Sequence, residues 1–179
     1  MARPLRAARD ATESSAPARI LSAALEVFSQ QGFDGARTRD IAARAEVTLG
    51  LLQYHYGSKG ELWKAAVERA FSALATGLDG ILSAPEPRDE RERLRRLLRA
   101  HVAFVAQHSE FIRIMHDEGK RRGPRMRWLV DRYVKPLHEK LRPLIERAQA
   151  QGILPAGIAP AHFLYLIVGV GMIFHQAEE

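Results

Sequence analysis

The sequence predicts an all-α protein, with an N-terminal three-helix head containing a helix-turn-helix and a C-terminal helical bundle. Three observations carry that prediction. Apolar residues recur three and four apart through most of the chain, the period of a helix with one buried face. Thr38–Lys59, TRDIAARAEVTLGLLQYHYGSK, reads as two short helices joined by a tight turn and followed at once by a third. Glycines and prolines divide the remainder into helix-length pieces. The expected division is an arm over 1–15, the head over 16–62 and a helical body over 63–179.

Residues 1–15 are polar and alanine-rich, without an apolar period. They read as a flexible, untethered terminus; the alternative is a basic arm in which Arg3, Arg6 and Arg9 follow a phosphate backbone or enter a minor groove. The first helix is expected over Ala16–Gln31. Ser15 is placed to cap it, and Pro17 is tolerated in its first turn. Ile20, Leu21, Ala24, Leu25 and Phe28 form its apolar stripe. Gly32 stops it, and Phe33 can fold back onto the core. No chemistry is evident on this helix, whose task is to hold the motif.

Within the motif, Ile41, Ala42 and Ala45 share one buried face, and Val47 plugs the turn. Leu52 and Tyr56, four apart, face inward from the second helix, about Leu49–Tyr56. Thr38 and Thr48 stand where helices begin, and a threonine oxygen there accepts an orphan backbone N–H. Ser58 and Glu61 form a capping box for the next helix. The outward face of the second helix carries Leu49, Gly50, Gln53 and, if it points out, Tyr54. A helix of that size fits a DNA major groove.

The order Thr-x-x-Ile-Ala-x-x-Ala-x-Val-Thr-x-Gly-x-Leu-x-Tyr-His-Tyr-x-Ser-Lys-x-x-Leu, ending at Leu62, resembles the N-terminal signature of tetracycline-repressor-like (TetR family) transcriptional regulators. Arg19–Phe33 fits that family's first helix, so the resemblance covers about the first third of the chain. It implies contacts with double-stranded operator DNA, residue by residue. Thr38 and Arg39 hold phosphates; Thr48, Leu49, Gly50 and Leu51 approach the groove; Gln53, Tyr54 and His55 meet base edges or phosphates; Lys59 pairs with a phosphate. Physical chemistry supports part of this set independently. Helix N-termini offer free N–H groups and partial positive charge, Gln can bond an adenine edge twice, and leucine can touch a thymine methyl. Two positions depart from the family pattern. Glu46 replaces the usual glycine of the turn, costing ~1 kcal/mol if that residue needs φ > 0. Gln53 replaces a tyrosine, an amide for a phenol at an expected DNA contact.

The chain has 179 residues, enough for one or two domains with a sizeable core. It has no cysteine, which excludes disulfides and thiolate metal sites. Its arginine-bearing start lacks an apolar core, so it is no secretory signal and a cytoplasmic location is expected. The net charge of +6 suggests an anionic partner, yet residues 1–82 hold 10 Lys/Arg against 9 Asp/Glu. The motif, not bulk charge, must therefore carry the DNA reading.

The next helix should run from Ser58 or Lys59 to about Leu82, with Leu62, Ala65, Ala66, Ala70, Phe71 and Leu74 inside. Trp63 lies one step off that stripe, where it can face the body. Pro85 and Pro87 mark a boundary. From Asp89, Leu94, Leu97, Leu98, Val102 and Val105 form one face and Arg91, Arg93, Arg95, Arg96 and Arg99 mostly the other. Those arginines read as a solvated helix face, with a nucleic-acid patch as the alternative. A short helix carrying Phe111, Ile112 and Met115 ends near Gly119. After the basic loop Lys120–Arg127, a helix with Trp128, Leu129, Tyr133, Leu137, Leu141, Leu144, Ile145 and Ala148 should kink or split at Pro136 and stop at Gly152. The last segment, Ala159–Phe174, is apolar almost all round, with Pro160 in its first turn. Its uninterrupted apolar run, Phe163–Phe174, has 12 residues, too short for a membrane span. One face should pack into the body. The other, with Val168, Gly171 and His175, should need a second molecule. TetR-like proteins usually have one more helix, so the chain is expected to be shortened at its C-terminus.

The body offers His101, Phe104, His108, Phe111, Met115, Trp128 and Phe163. They read as plain core or, by resemblance, as a pocket for an unidentified small-molecule effector. His101 and His108 with His116-Asp117-Glu118 lack a metal-site spacing, so no metal and no cofactor is implied. No nucleophile elbow, phosphate loop or paired carboxylate suggests an enzyme. The resemblance implies a homodimer on a two-fold operator, repressing transcription until an effector binds. The rivals are a helical ligand-binding or adaptor protein that has lost operator recognition, and a small helical enzyme.

Overall fold

The structure, a computed structural model, describes residues 15–82 and 89–176, with Ile81 and residues 171–176 described as backbone. The expected arm with Arg3, Arg6 and Arg9, the Pro85–Pro87 boundary and the side chains of Gly171 and His175 lie outside the described residues. All regular structure among the described residues is helical: α1 Ala16–Gly35, α2 Thr38–Arg44, α3 Leu49–Tyr56, α4 Lys59–Leu82, α5 Glu90–Gln107, α6 Ser109–Gly119, α7 Pro124–Leu129, a π-helical turn Val130–Val134, α8 Lys135–Ala150 and α9 Pro160–Gln176. The chain divides into two compact units, Met1–Ala70 and Phe71–Glu179. The first takes in half of α4.

In the first unit, Ser15 caps α1 by accepting from Ala18 N–H, and Gly32 breaks it at φ 67°. The positive φ turns Phe33 back over the core, stacked on Phe28 at 5.9 Å. Phe33 in turn meets Trp63 edge-on at 6.3 Å. Trp63 is 1% exposed and belongs to the core of the head, not to a face turned towards the body. Ile20, Ile41, Leu52 and Leu62 of the same unit are fully buried as well. Burying each such side chain contributes roughly 1.5–3 kcal/mol, which is what makes a three-helix head viable.

Two expected caps differ. Thr38 is the first helical residue of α2, and the cap position belongs to Arg37, which makes no side-chain capping bond. Ser58 does accept from Glu61 N–H at 3.2 Å. The reciprocal half of the capping box is missing, because Ser58 N–H donates to Tyr56 O and Glu61 pairs with Lys64 at 2.8 Å.

The second unit centres on an aromatic chain and a leucine cluster. Tyr133 stacks on Phe71 at 4.1 Å, Phe71 meets Phe111 edge-on at 4.8 Å, and Phe104 lies 5.7 Å from Phe111. Leu78, Leu97 and Leu144 are buried together, flanked by Leu74, Leu82, Leu94, Leu137 and Leu141. The break expected at Pro136 is present as the π-helical turn just before it. There Lys135 N–H reaches back five residues to Val130 O, the wider turn that a missing proline donor favours. Pro143 lies inside α8 without ending it. After Ala150, Gly152 at φ 70° lets its own N–H bond Gln149 O and Ile153 N–H bond Ala148 O, closing the helix.

Helix α5 departs from expectation on both faces. Leu98 and Val102 are 46% and 62% exposed, although their spacing predicted burial. Arg93 is buried beside Glu90, which also accepts from Arg147 Nε at 3.1 Å. The other four arginines are exposed, as a solvated face requires.

Candidate nucleic-acid interface

Helix α3 is held from behind and open in front. Thr48 caps it, its hydroxyl accepting from Leu51 N–H at 3.2 Å. Gly57 ends it at φ 65°, donating to Gln53 O. Leu52 is 2% exposed and locks the inner side into the core. Tyr56 is half-buried and donates its hydroxyl to Pro17 O at 3.2 Å, tying the end of α3 to the start of α1. Burial raises the Tyr56 phenol pKa, partly opposed by Arg69, so this donor keeps its proton at neutral pH.

The outer side carries Gly50, Gln53 and Tyr54, at helical spacing and all exposed, with Leu51 and His55 beside them. Tyr54 is 84% exposed and so points outward, the orientation that its spacing left open. Its ring meets His55 edge-on at 5.4 Å. Leu49 is half-buried, partly removed from the surface that its position suggested. A side chain at Gly50 would meet nothing closer than Thr48 Oγ1 at 4.0 Å, so space inside the protein does not require glycine there.

The turn before α3 is a Schellman-type closure of α2. Val47 N–H bonds Ala42 O and Glu46 N–H bonds Ala43 O. The residue in the left-handed seat is Glu46 at φ 54°, so the glutamate that replaces the family's glycine does fall where a side chain is strained. The turn is secured from outside: Arg19 Nε donates to Ala45 O at 3.1 Å, and Arg44 pairs with Glu26 at 2.7 Å.

A second cluster forms where the starts of α2 and α4 meet. Thr38, Arg39, Gln53, Ser58 and Lys59 line one open cleft of about 620 Å³. The first residues of two helices thus line one concave surface, and helix starts suit anionic oxygens. Arg39 is exposed there. Lys59 has a further task that its sequence position did not reveal. Its ammonium donates to Asp34 O at 3.2 Å and Ala36 O at 2.9 Å and lies 4.7 Å from the Phe33 ring centre. The signal available beforehand was only Gly32, which implied a chain reversal whose carbonyls need donors.

The residues expected around an effector are divided by the fold. Phe104 and Phe111 are buried, Phe104 lies 4.4 Å from His108, and Trp128 meets Tyr133 edge-on at 5.4 Å. Met115 and Phe163 are half-buried. His101 stands apart in an apolar groove of about 390 Å³ with Leu98, Val102, Val105, Leu166, Ile167 and Val170. Its Nε2 is buried without a hydrogen-bond partner among the described residues. Burial lowers its pKa, partly opposed by the Ile167 backbone.

A capped helix presenting an open polar face beside a clamp of helix starts defines a helix-turn-helix DNA-binding regulator. Comparison with known proteins agrees. Residues 20–66 match the family described as bacterial regulatory proteins, tetR family, and residues 91–178 match the tetracyclin repressor-like C-terminal domain. The HTH-type transcriptional repressor SCO4008 of Streptomyces coelicolor is 30% identical over 92% of this chain and 79% of its own. The HTH-type transcriptional repressor NicS of Pseudomonas putida is 29% identical over 89% and 75%. A TetR-like regulator from Rhodococcus sp. RHA1 superposes with a TM-score of 0.68 at 26% identity, covering 88% of this chain and 80% of that one. AibR, solved with isovaleryl coenzyme A and operator DNA, shares the fold with a TM-score of 0.75 at 21% identity, covering 90% and 86%. The chain belongs to the TetR family. It is a sequence-specific DNA-binding transcriptional regulator, and the adaptor alternative is not favoured.

Proposed function

We propose that α3 reads the operator through Gln53, with Tyr54 and His55 on base edges or phosphates and Thr48, Leu49, Gly50 and Leu51 against the groove wall. Thr38, Arg39 and Lys59 hold the flanking phosphates. The observation that carries this reading is the exposed Gly50–Gln53–Tyr54 face on a helix whose Leu52 is buried. One head makes few phosphate contacts, so a two-fold site occupied by a homodimer supplies the affinity. The surface offered to a second copy is the apolar face of α5 and α9, where Leu98, Val102, Tyr165, Leu166, Val168 and Val170 are exposed. An apolar patch of this kind marks an association site.

The effector is a small molecule; AibR, for comparison, forms a complex with isovaleryl coenzyme A and operator DNA. Its seat is the region of His101, Phe104, His108, Phe111, Met115, Trp128 and Phe163. It releases DNA only by binding the non-DNA conformation more tightly. The body thus senses and does no catalysis, and the protein acts in the cytoplasm. Among the described residues no helix is long and apolar enough to cross a membrane.

The test is selection of bound sites from random DNA. A two-fold consensus supports operator reading by a dimer, and enrichment without any shared sequence overturns it. Independently, sedimentation of Val102→Glu and Leu166→Glu should show monomers where the parent chain is dimeric. Unchanged sedimentation would place the interface elsewhere.

A further inference from the structure

The basic excess of this chain is concentrated in one place. Residues 120–135 hold seven Lys/Arg and one Asp, a net of +6, and the remaining residues balance at 20 Lys/Arg against 20 Asp/Glu. The head over 16–62 is neutral, with five Lys/Arg against five Asp/Glu, and the excess on α5, five Arg against two Glu, is offset by acidic residues elsewhere in the chain. Part of the concentration is neutralised locally. Lys120 pairs with Asp117 at 3.3 Å, Arg125 with the buried Glu118 at 2.8 Å, and Lys135 with Asp131 at 2.6 Å. Arg122 and Arg127 are exposed and enter no ion pair among the described residues.

These two guanidinium groups border a cleft of about 520 Å³ at the start of α7. Gly123, Met126 and Val130 supply its apolar wall, and Arg122, Arg127, Asp131 and Lys135 its charged rim. Met126 and Val130 are half-buried, so the wall is formed and partly shielded before anything binds. Purely apolar ligands gain nothing from two unpaired guanidinium groups, and a bare inorganic ion gains nothing from the methionine and valine. A polyanion such as DNA would follow the charge, but it offers no apolar body to the wall.

We propose that this cleft binds a small amphipathic anion, with an apolar body of a few carbons and a carboxylate or phosphate head. The head is held by Arg122 and Arg127, whose planar forks suit either oxyanion. The body lies along Met126 and Val130. The site is separate from the aromatic region and the His101 groove, and it stands whether or not α3 reads an operator.

The experiment titrates the full chain with octanoate, octyl phosphate, octanol and inorganic phosphate. Calorimetry is the readout. The expected result is saturable binding of octanoate and octyl phosphate, both weakened about tenfold or more by R122Q/R127Q. Octanol and inorganic phosphate should bind at least about tenfold more weakly than octyl phosphate. Both substitutions lie on exposed side chains, and an unchanged far-UV spectrum and melting temperature verify the fold. Octanol binding as well as octanoate would reduce the cleft to an apolar surface and overturn the proposal. Inorganic phosphate matching octyl phosphate would reduce it to an anion site and do the same. So would a variant that keeps its octanoate affinity but loses DNA affinity with a shallower salt dependence, which would assign the arginines to a nucleic-acid backbone. A preference for octanoate or for octyl phosphate identifies the head group.

Discussion

Replacing Gly50 by alanine separates folding from recognition. The added methyl group points into open space, its nearest internal neighbour being Thr48 Oγ1 at 4.0 Å, an ordinary contact. Gly50 lies in the first turn of α3, without a positive φ to protect. Alanine there lowers the entropy of the unfolded chain and should stabilise the protein by about 0.5 kcal/mol. In a chain of this size that is a rise in melting temperature of about 1–2 °C. On DNA the same methyl occupies space that the groove must fill. If it costs each head ~1.4 kcal/mol, or tenfold, a dimer on a two-fold site loses ~100-fold. Thermal unfolding and fluorescence anisotropy on a selected operator measure the two effects on one sample. Unchanged or lower stability with unchanged affinity would refute the argument on both counts. Unchanged affinity alone would remove Gly50 from the interface.

Gln53→Ala should relax preference at one or two base positions by roughly 1–3 kcal/mol and leave the melting temperature unchanged; a loss equal on all sequences would exclude base reading by Gln53. Lys59→Ala should weaken all DNA sequences alike, and the two carbonyl bonds that it also removes should lower stability by about 1–2 kcal/mol. Retained stability would show that this clamp contributes little. Glu46→Gly should raise stability by about 0.5–1 kcal/mol in denaturant titration, because it relieves φ 54°; a decrease would mean that the carboxylate has a task of its own. His101 titrates below its ordinary value because burial disfavours its charge. From neutral pH down to ~6.5 it is neutral in both states. Below that the unfolded chain takes up a proton that the folded one resists, so stability falls with pH until the lowered folded pKa is reached. His101→Leu should flatten this stretch of a melting-temperature profile between pH 7 and 5, and a parallel profile would show that other groups dominate.

Much of the head was determined locally. Ser15 and Thr48 cap because a short hydroxyl side chain satisfies backbone donors three residues on. Gly32, Gly57 and Gly152 adopt positive φ where their positions predicted helix ends. Leu52 and Tyr56 face inward because the helical period places them together. Tertiary structure decided where the distant partners lay. Lys59 reaches the carbonyls of Asp34 and Ala36 because the reversal at Gly32 brings them near, a contact that no spacing encodes. Trp63, one step off its stripe, is buried because Phe33 folds over it. On α5 the same period that predicts burial of Leu97 and Val105 cannot distinguish Leu98 and Val102, which stay exposed. Periodicity tells which residues share a face. What lies opposite that face depends on packing between elements far apart in the chain, and those long-range contacts alone put Arg93 inside and Val102 outside.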